Sequence, residues 1–150
     1  PHKTVLENII LGPVVVKGMD EGAAATLAHE LLAKVGIPEK ADAYPEQLSG
    51  GQQQRVAIAR TLIMHPRIIL MDEPTRGIDV GSKAEIYELV GRLSQEGKSI
   101  IFVSSELEEV VKVSDRIVVM YNGRNVHEFV QNTTIEELMR YATGAGDRNN

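Results

Sequence analysis

The sequence predicts an α/β fold in which a helical first part precedes a layered parallel sheet. Residues 4–36 and 50–62 look helical, and residues 21–35 carry apolar side chains at the 3.6-residue period of an amphipathic helix. Residues 68–120 instead contain three short apolar runs separated by helical segments. Because strands that alternate with helices join through right-handed crossovers, we expect these runs to form a parallel sheet flanked by helices.

Composition limits the kinds of partner and compartment. The 150 residues include 16 Lys and Arg scattered along the chain, and the net charge is −5, so nucleic acid is not expected as the main partner. The absence of cysteine excludes disulfides and thiolate metal sites. The longest apolar stretch, Ile9 to Val16, is far shorter than the roughly 20 residues that a membrane helix needs. No signal peptide opens the chain, so a soluble, cytoplasmic protein is expected.

The helical part is best defined over residues 21–35. Gly36 ends this segment, and Tyr44 is expected in a loop because a residue that precedes proline avoids helical angles. The apolar stripe of the segment consists of Ala24, Leu27, Ala28, Leu31, Leu32 and Val35.

The next helix begins at a candidate anion-binding site. Ser49 is expected as its N-cap, with Gln52 at the spacing of a capping box, and the helix should end before Pro66. A helix N-terminus presents unpaired N–H groups and a partial positive charge, which both favour a phosphate. Gly50 and Gly51 would let that phosphate approach the backbone because neither has a β-carbon. A plain capped helix start after a glycine turn is the alternative interpretation.

Two carboxylates end the first strand of the second part. The continuous apolar run at 68–71 is typical of a strand buried on both faces of a parallel sheet. Asp72 and Glu73 follow it, at the edge where ligands gather in open parallel sheets. Two solvated acids at a strand end are the alternative interpretation.

The remaining elements follow from the same patterns. Asn122-Gly123 predicts a tight hairpin, and Glu137 stands at capping-box distance from Thr134. Helices are predicted over 82–93, 106–113 and 134–141, further strands over 99–103, 116–120 and 124–130, and a disordered tail over 144–150.

Two strings together resemble the signature sequence and the Walker B segment of ATP-binding-cassette (ABC) ATPases. Residues 48–55 read LSGGQQQR and residues 68–75 read IILMDEPT, while Gly77-Ile78-Asp79 resembles the D-loop. The resemblance implies the P-loop NTPase-like core of an ABC ATPase, a partial parallel sheet with flanking helices, together with the helical subdomain of that family. The implied domains are 1–65 (helical subdomain with the signature), 66–143 (C-terminal part of the ATPase core) and 144–150 (tail).

The resemblance also assigns a role to the start of the helix at Ser49. Ser49, Gly50, Gly51 and Gln52 would close over the γ-phosphate of ATP bound by a second nucleotide-binding domain, which implies a head-to-tail dimer. Asp79, in the D-loop segment, is implied as a further nucleotide-site residue.

The resemblance assigns metal binding and catalysis to the two carboxylates. Asp72 would hold Mg²⁺, through water, and Glu73 would be the catalytic base. The implied partners include transmembrane permease subunits, which would keep the chain at the inner face of the plasma membrane without inserting it.

The phosphate loop of the family is not found in the sequence. No G-x-x-x-x-G-K-[ST] string is present, and Gly97-Lys98-Ser99 is rejected because it follows a helix and opens a strand, which is the wrong order. Pro1 to Asn8 looks like the stretch just after the family's Q-loop, so the phosphate loop would lie upstream of Pro1. We therefore expect no ATPase activity from the isolated chain.

Ser105 stands where most ABC ATPases carry a histidine that contacts the γ-phosphate, and this implies a degenerate hydrolytic site. No other histidine is expected to compensate. All four, His2, His29, His65 and His127, are predicted to be ordinary surface residues.

The likeness changes along the chain. Residues 1–62 resemble ATPases of polar amino-acid importers, whereas residues 68–120 resemble the second cassette of monosaccharide importers, with a junction near 63–67. The leading interpretation is the ATP-binding subunit of an importer for an amino acid or a sugar. A non-hydrolytic half that donates its signature to a partner cassette is the alternative. A soluble ABC ATPase of translation or DNA repair is disfavoured because residues 1–60 match importers.

Overall fold

Six α-helices and four β-strands are found in the computed structural model, which describes residues 2–130 and 133–146. The helices are α1 (Val5–Lys17), α2 (Glu21–Lys34), α3 (Gly50–Leu62), α4 (Val80–Gln95), α5 (Leu107–Val113) and α6 (Ile135–Ala142). The strands are β1 (Ile68–Asp72), β2 (Ser99–Val103), β3 (Arg116–Tyr121) and β4 (Arg124–Val130), and 3₁₀ turns cover Pro38–Lys40 and Pro45–Gln47.

The described residues fall into two compact units. The first lies within Pro1–Ile69 and Thr75–Ile100, and the second within Leu70–Pro74 and Ile101–Asn150. The domain division expected at residue 65 remains a prediction.

The first unit is built mainly from α1 to α4. Gly18 ends α1 in the left-handed conformation (φ 65°) and Asp20 caps α2, so the stretch predicted as helical over 4–36 consists of two helices. The predicted stripe of α2 faces the core, since Ala24, Ala28 and Leu32 have no exposed surface. The helix α1 contacts α2 and α3, and α3 in turn contacts α4.

The strands β1 and β2 lie side by side and run parallel. Arg67 and Ser99 pair at one end, where the Ser99 N–H donates to the Arg67 carbonyl at 3.0 Å, and Glu73 and Val103 pair at the other. This arrangement, with α4 as the crossover, confirms the predicted strand–helix–strand unit.

The prediction that these strands are buried on both faces is wrong for the described residues. Ile69 and Met71 are buried, but the alternate residues Ile68 and Leu70 are 61% and 66% exposed. In β2, Ile101 is likewise 53% exposed. The described elements cover one face only, and an apolar run alone does not reveal how many faces are covered.

The second unit contains an antiparallel hairpin of β3 and β4. Asn122 (φ 49°) and Gly123 (φ 74°) both have positive φ, as a two-residue type I′ turn requires, and this confirms the predicted hairpin. The expectation that the third strand joins one parallel sheet is wrong, because β3 pairs with β4 in a separate two-stranded sheet.

The helix α6 packs on this hairpin. Leu138 of α6 is buried with Ile117 and Val119 of β3, and Thr134 and Glu137 form the predicted capping box. His127 of β4 stacks on Tyr141 with ring centroids 4.0 Å apart, so it is half-buried. The prediction of a surface position is therefore wrong for His127, while His2, His29 and His65 are exposed.

Of the predicted tail, residues 147–150 lie outside the described residues, as does Pro1. Among the described helices, none combines the length and the apolar character needed to cross a membrane.

Candidate functional site

The start of α3 has the capping box expected from the sequence. The Gln52 N–H donates to the Ser49 hydroxyl oxygen at 3.3 Å, and the Ser49 N–H donates to the Gln52 side-chain carbonyl at 3.0 Å. The first intrahelical bond starts at Gln53, whose N–H donates to the Ser49 carbonyl. The N–H groups of Gly50 and Gly51 therefore have no partner within α3, which is the arrangement that suits an anion.

The two glycines of this segment have different surroundings. Gly50 is exposed, and a β-carbon placed there would lie 3.8 Å from its nearest neighbour, the Gly77 carbonyl oxygen. Gly51 is buried, and a β-carbon there would lie 2.6 Å from the Ser82 Cβ of α4. The close approach of α3 to α4 therefore leaves no room for a side chain at Gly51, whereas a β-carbon at Gly50 would make only ordinary van der Waals contact.

The start of α4 is next to the start of α3. Gly77 is in the left-handed conformation (φ 74°), and Asp79 caps α4 by accepting a hydrogen bond from the Ser82 N–H at 3.0 Å. Hydrogen bonds from the Ser82 N–H and the Ser82 hydroxyl to the Asp79 carboxylate lower the pKa of Asp79 below its usual value of 3.8. Two helix N-termini therefore meet at the contact of Gly51 with Ser82.

Arg55 makes a second link one turn further along both helices. Its guanidinium forms an ion pair with Glu85 of α4 and donates to the Val35 carbonyl at the end of α2, at 3.2 Å. The Arg55 side chain is only 12% exposed. Gly51 and Arg55 are four residues apart on α3, and their partners Ser82 and Glu85 are three residues apart on α4. Both contacts therefore lie on the facing surfaces of the two helices. Arg55 and Ser82 were not singled out from the sequence, where neither carries a signal of these contacts.

The end of β1 carries the two candidate carboxylates. Asp72 is exposed and Glu73 is half-buried. Glu73 has φ 46°, a left-handed conformation that is costly for a residue with a side chain. The Glu73 N–H donates to the Val103 carbonyl at 2.9 Å, and this hydrogen bond holds Glu73 at the end of β2.

The loop after β2 reaches the Glu73 side chain. The Ser105 N–H donates to Glu73 Oε1 at 2.8 Å, so the structure brings these two predicted residues together. The contact uses the backbone of Ser105 rather than its hydroxyl, and Ser105 is exposed.

The neighbouring serine of this loop is fixed by α5. The Ser104 hydroxyl donates to Glu109 Oε2 at 2.9 Å and accepts from the Glu106 N–H at 3.0 Å. Glu109 is 3% exposed. These contacts were also not anticipated from the sequence.

Potential metal ligands are sparse in the part of the chain that the structure describes. No group of three or more His, Asp or Glu side chains is arranged to hold a metal ion there. Asp72 remains a single candidate ligand, which fits Mg²⁺ because this ion commonly takes one or two carboxylates together with phosphate oxygens and water.

The rejected triplet Gly97-Lys98-Ser99 does not form a phosphate loop. Gly97 follows the end of α4 with φ 85°, and Ser99 begins β2. The Lys98 ammonium donates to the Pro66 carbonyl at 2.8 Å. The order helix, then strand, is the reverse of a phosphate loop.

Comparisons with known proteins identify relatives of the chain. The profile of the ABC transporter family matches residues 1–76. The L-cystine transport system ATP-binding protein TcyN of Escherichia coli is 49% identical over 128 residues, which cover 85% of this chain and 51% of TcyN. The glutamine transport ATP-binding protein GlnQ of Bacillus subtilis is 48% identical over 130 residues, covering 87% of this chain and 54% of GlnQ. The chain thus spans about half the length of these relatives.

Solved structures share the fold. A nucleotide-free ATP-binding cassette from an ABC transporter superposes with a TM-score of 0.79 at 25% identity, covering 95% of this chain and 59% of that one. The cbiO1 subunit from Clostridium perfringens, part of the cbiONQ ABC transporter complex, superposes with a TM-score of 0.76 at 28% identity, covering 97% and 58%. These neighbours bear out the predicted ABC ATPase fold.

Proposed function

The chain belongs to the ABC transporter family, and we propose that it forms part of the ATP-binding subunit of an importer for a polar amino acid. The observation that carries the proposal is the likeness to TcyN, because it extends over most of the chain. An alignment of 128 residues in a chain of 150 leaves 22 residues out and so includes at least residues 23–128. It therefore spans both the segment with the start of α3 and the segment with Asp72 and Glu73.

Amino-acid uptake is favoured over sugar uptake by the same comparison. The relatives named for cystine, glutamine and arginine transport also align with residues 68–120, the segment that resembles sugar importers. We therefore propose an amino acid as the transported solute and permease subunits as the membrane partners. In this proposal the chain lies at the inner face of the plasma membrane and touches the bilayer only through the permease.

The start of α3 is proposed to act on ATP held by a second ATP-binding domain. The exposed Gly50 and the N–H groups of Gly50 and Gly51, which have no partner within α3, fit a phosphate, since no β-carbon blocks the approach at Gly50. Ser49 and Gln52 hold that turn in shape through their reciprocal hydrogen bonds. Gly51 keeps the turn close to α4, and Asp79 lies beside it at the start of α4. A head-to-tail dimer follows from this role.

The carboxylates at the end of β1 are proposed to serve hydrolysis. Glu73 would accept a proton from the attacking water, and Asp72 would help to hold Mg²⁺, which would neutralise charge on the phosphates when bound. Ser105 gives Glu73 a backbone N–H donor, while its hydroxyl is a weak substitute for a histidine toward the γ-phosphate. We therefore propose an active site with slow turnover rather than a non-hydrolytic half.

A pair of chimeras tests the proposal. In the first, these 150 residues replace the matching segment of E. coli TcyN, and cystine uptake is measured in cells that lack native TcyN. In the second, they replace the matching segment of a monosaccharide-importer ATPase, and sugar uptake is measured. We expect uptake in the first and none in the second.

Two variants of the first chimera connect uptake to the site. Glu73→Gln should abolish uptake, whereas Glu108→Gln, a change at an exposed position of α5, should leave it unchanged. The proposal is wrong if the first chimera is produced at normal levels and joins the permease but supports no cystine uptake. It is also wrong if sugar uptake is restored instead.

A further inference from the structure

Glu109 is the one charged side chain that is buried among the residues the structure describes. A buried glutamate is rare unless polar partners compensate for the loss of water around it. One partner of this carboxylate is the Ser104 hydroxyl, 2.9 Å from Oε2. Ser104 is followed by Ser105, whose N–H donates to the candidate base Glu73. Glu109 is therefore connected to Glu73 through these two serines.

Ser104 has a defined orientation because its hydroxyl is used twice. The oxygen donates its proton to Glu109 and accepts from the Glu106 N–H at 3.0 Å, so the rotation of the hydroxyl is fixed. Glu106 is the N-cap position of α5, and its own side chain makes no capping bond. The Ser104 side chain therefore fixes the backbone on the C-terminal side of Ser105.

The N-terminal side of the same loop is fixed by the strands. The Glu73 N–H donates to the Val103 carbonyl at 2.9 Å, which holds the end of β2 against the end of β1. Ser105 lies between these two fixed points, and its N–H meets Glu73 Oε1 at 2.8 Å. The direction of this N–H thus depends on both Val103 and Ser104.

We propose that Glu109 and Ser104 are positioning residues, which hold the loop after β2 so that the Ser105 N–H stays on the Glu73 carboxylate and keeps it aimed for hydrolysis. The last step rests on the proposed function, whereas the positioning itself does not. Glu109 acts from inside the fold through Ser104, and neither residue is proposed to touch nucleotide.

Amide hydrogen exchange in the 150-residue chain tests the positioning directly. Ser104→Ala removes the hydroxyl, and Glu109→Met removes the acceptor while keeping a similar length. Since a side-chain hydrogen bond changes an equilibrium by a factor of about 2 to 12, we expect the Ser105 amide to exchange several-fold faster in both variants.

Conservative variants separate positioning from loss of folding. Ser104→Thr keeps a hydroxyl and Glu109→Gln keeps an acceptor, so both should retain most of the Ser105 protection. Glu108→Met, at the exposed neighbour on α5, should retain all of it. The amide of Val119 in β3 monitors the fold of the unit and should stay protected throughout.

The hydrolysis step is tested in the TcyN chimera. Ser104→Ala should lower kcat about tenfold or more and leave KM for ATP unchanged, because a small displacement of a reacting group affects the chemical step most. Ser104→Thr should restore kcat.

The possible results are distinguishable. Unchanged Ser105 exchange in Ser104→Ala and Glu109→Met overturns the positioning, and so does equal loss of protection at Val119, since that would show a role in folding only. Faster Ser105 exchange with an unchanged kcat overturns the link to hydrolysis. A chimera without any ATPase activity contradicts the proposed function, while the exchange data still decide the positioning.

Discussion

The Ser105 N–H donates to the Glu73 carboxylate across a sequence separation of 32 residues. The bond joins the ends of two adjacent parallel strands, where the Glu73 N–H also meets the Val103 carbonyl. Because the donor is a backbone group, this contact survives any change of side chain at position 105 other than proline. The residue type at 105 can therefore change the chemistry toward phosphate without disturbing the way Glu73 is held.

Ser105→His is expected to raise ATP turnover in the TcyN chimera. The exposed position has room for the larger side chain, and an imidazole reaches further than a hydroxyl and can carry positive charge. Donors that stabilise developing charge are typically worth about 100-fold or more in rate. Steady-state phosphate release measures the change, with Glu73→Gln as the inactive reference. An unchanged rate in Ser105→His would show that position 105 does not limit hydrolysis.

Gly51→Ala is expected to destabilise the chain by about 1–3 kcal/mol, since the added methyl group would overlap Ser82 in a packed contact. Gly50→Ala is the matched control and should leave stability nearly unchanged, because its β-carbon meets no atom closer than 3.8 Å. Urea unfolding gives both free energies. Adding Ser82→Gly to Gly51→Ala should recover part of the loss. Equal stability of the two alanine variants would contradict the close approach of α3 and α4.

Glu73→Gly is expected to be more stable than Glu73→Ala by about 1–2 kcal/mol, because a left-handed residue with a β-carbon pays a steric cost that glycine avoids. Both variants lack the carboxylate, so their difference reports the backbone alone. At the helical position Glu108 the order should reverse, with alanine better by about 1 kcal/mol. If the stability difference between the glycine and alanine variants had the same sign at both positions, the backbone of Glu73 would not be strained.

Asp79 should make stability fall at acid pH. Its pKa is lowered in the folded chain because the Ser82 N–H and hydroxyl donate to the carboxylate, so its stabilisation is fully present above the usual value of 3.8 and is lost as the pH falls through the lower folded value. Asp79→Asn keeps a good capping side chain and removes only the charge.

The free energy of unfolding of wild type and Asp79→Asn should therefore differ at about pH 6, and the difference should shrink as the pH falls below 3.8. Asp42→Asn, at another exposed aspartate, is the matched control. A constant difference between wild type and Asp79→Asn at all pH values would mean that the carboxylate charge is not what stabilises the start of α4.

Local features of the fold could be predicted because they depend on neighbouring residues. The capping box of Ser49 with Gln52 is a pattern of four consecutive residues. The Asn122-Gly123 turn is likewise specified by the two residues that tolerate positive φ. The strand β2 has the predicted bounds for the same reason, since glycine and lysine separate an apolar run from α4.

Features that depend on distant parts of the chain could not be predicted in the same way. Whether Ile68 and Leu70 are covered depends on what packs on that face, and an apolar run carries no information about it. The close contact of Gly51 with Ser82 is a meeting of two helices whose approach is not encoded in either motif. The candidate site was recognised by its strings, but the role of Glu109 follows only from its burial and its contact with Ser104.

The left-handed backbone of Glu73 also has an evolutionary consequence. A lineage in which this carboxylate no longer had a task would gain stability by drifting to glycine or asparagine at that position, since both tolerate positive φ at lower cost. The glutamate at position 73 would therefore be replaced sooner than an unstrained surface acid such as Glu108. Among descendants of this sequence, a glutamate kept at position 73 would mark continued selection for its side chain.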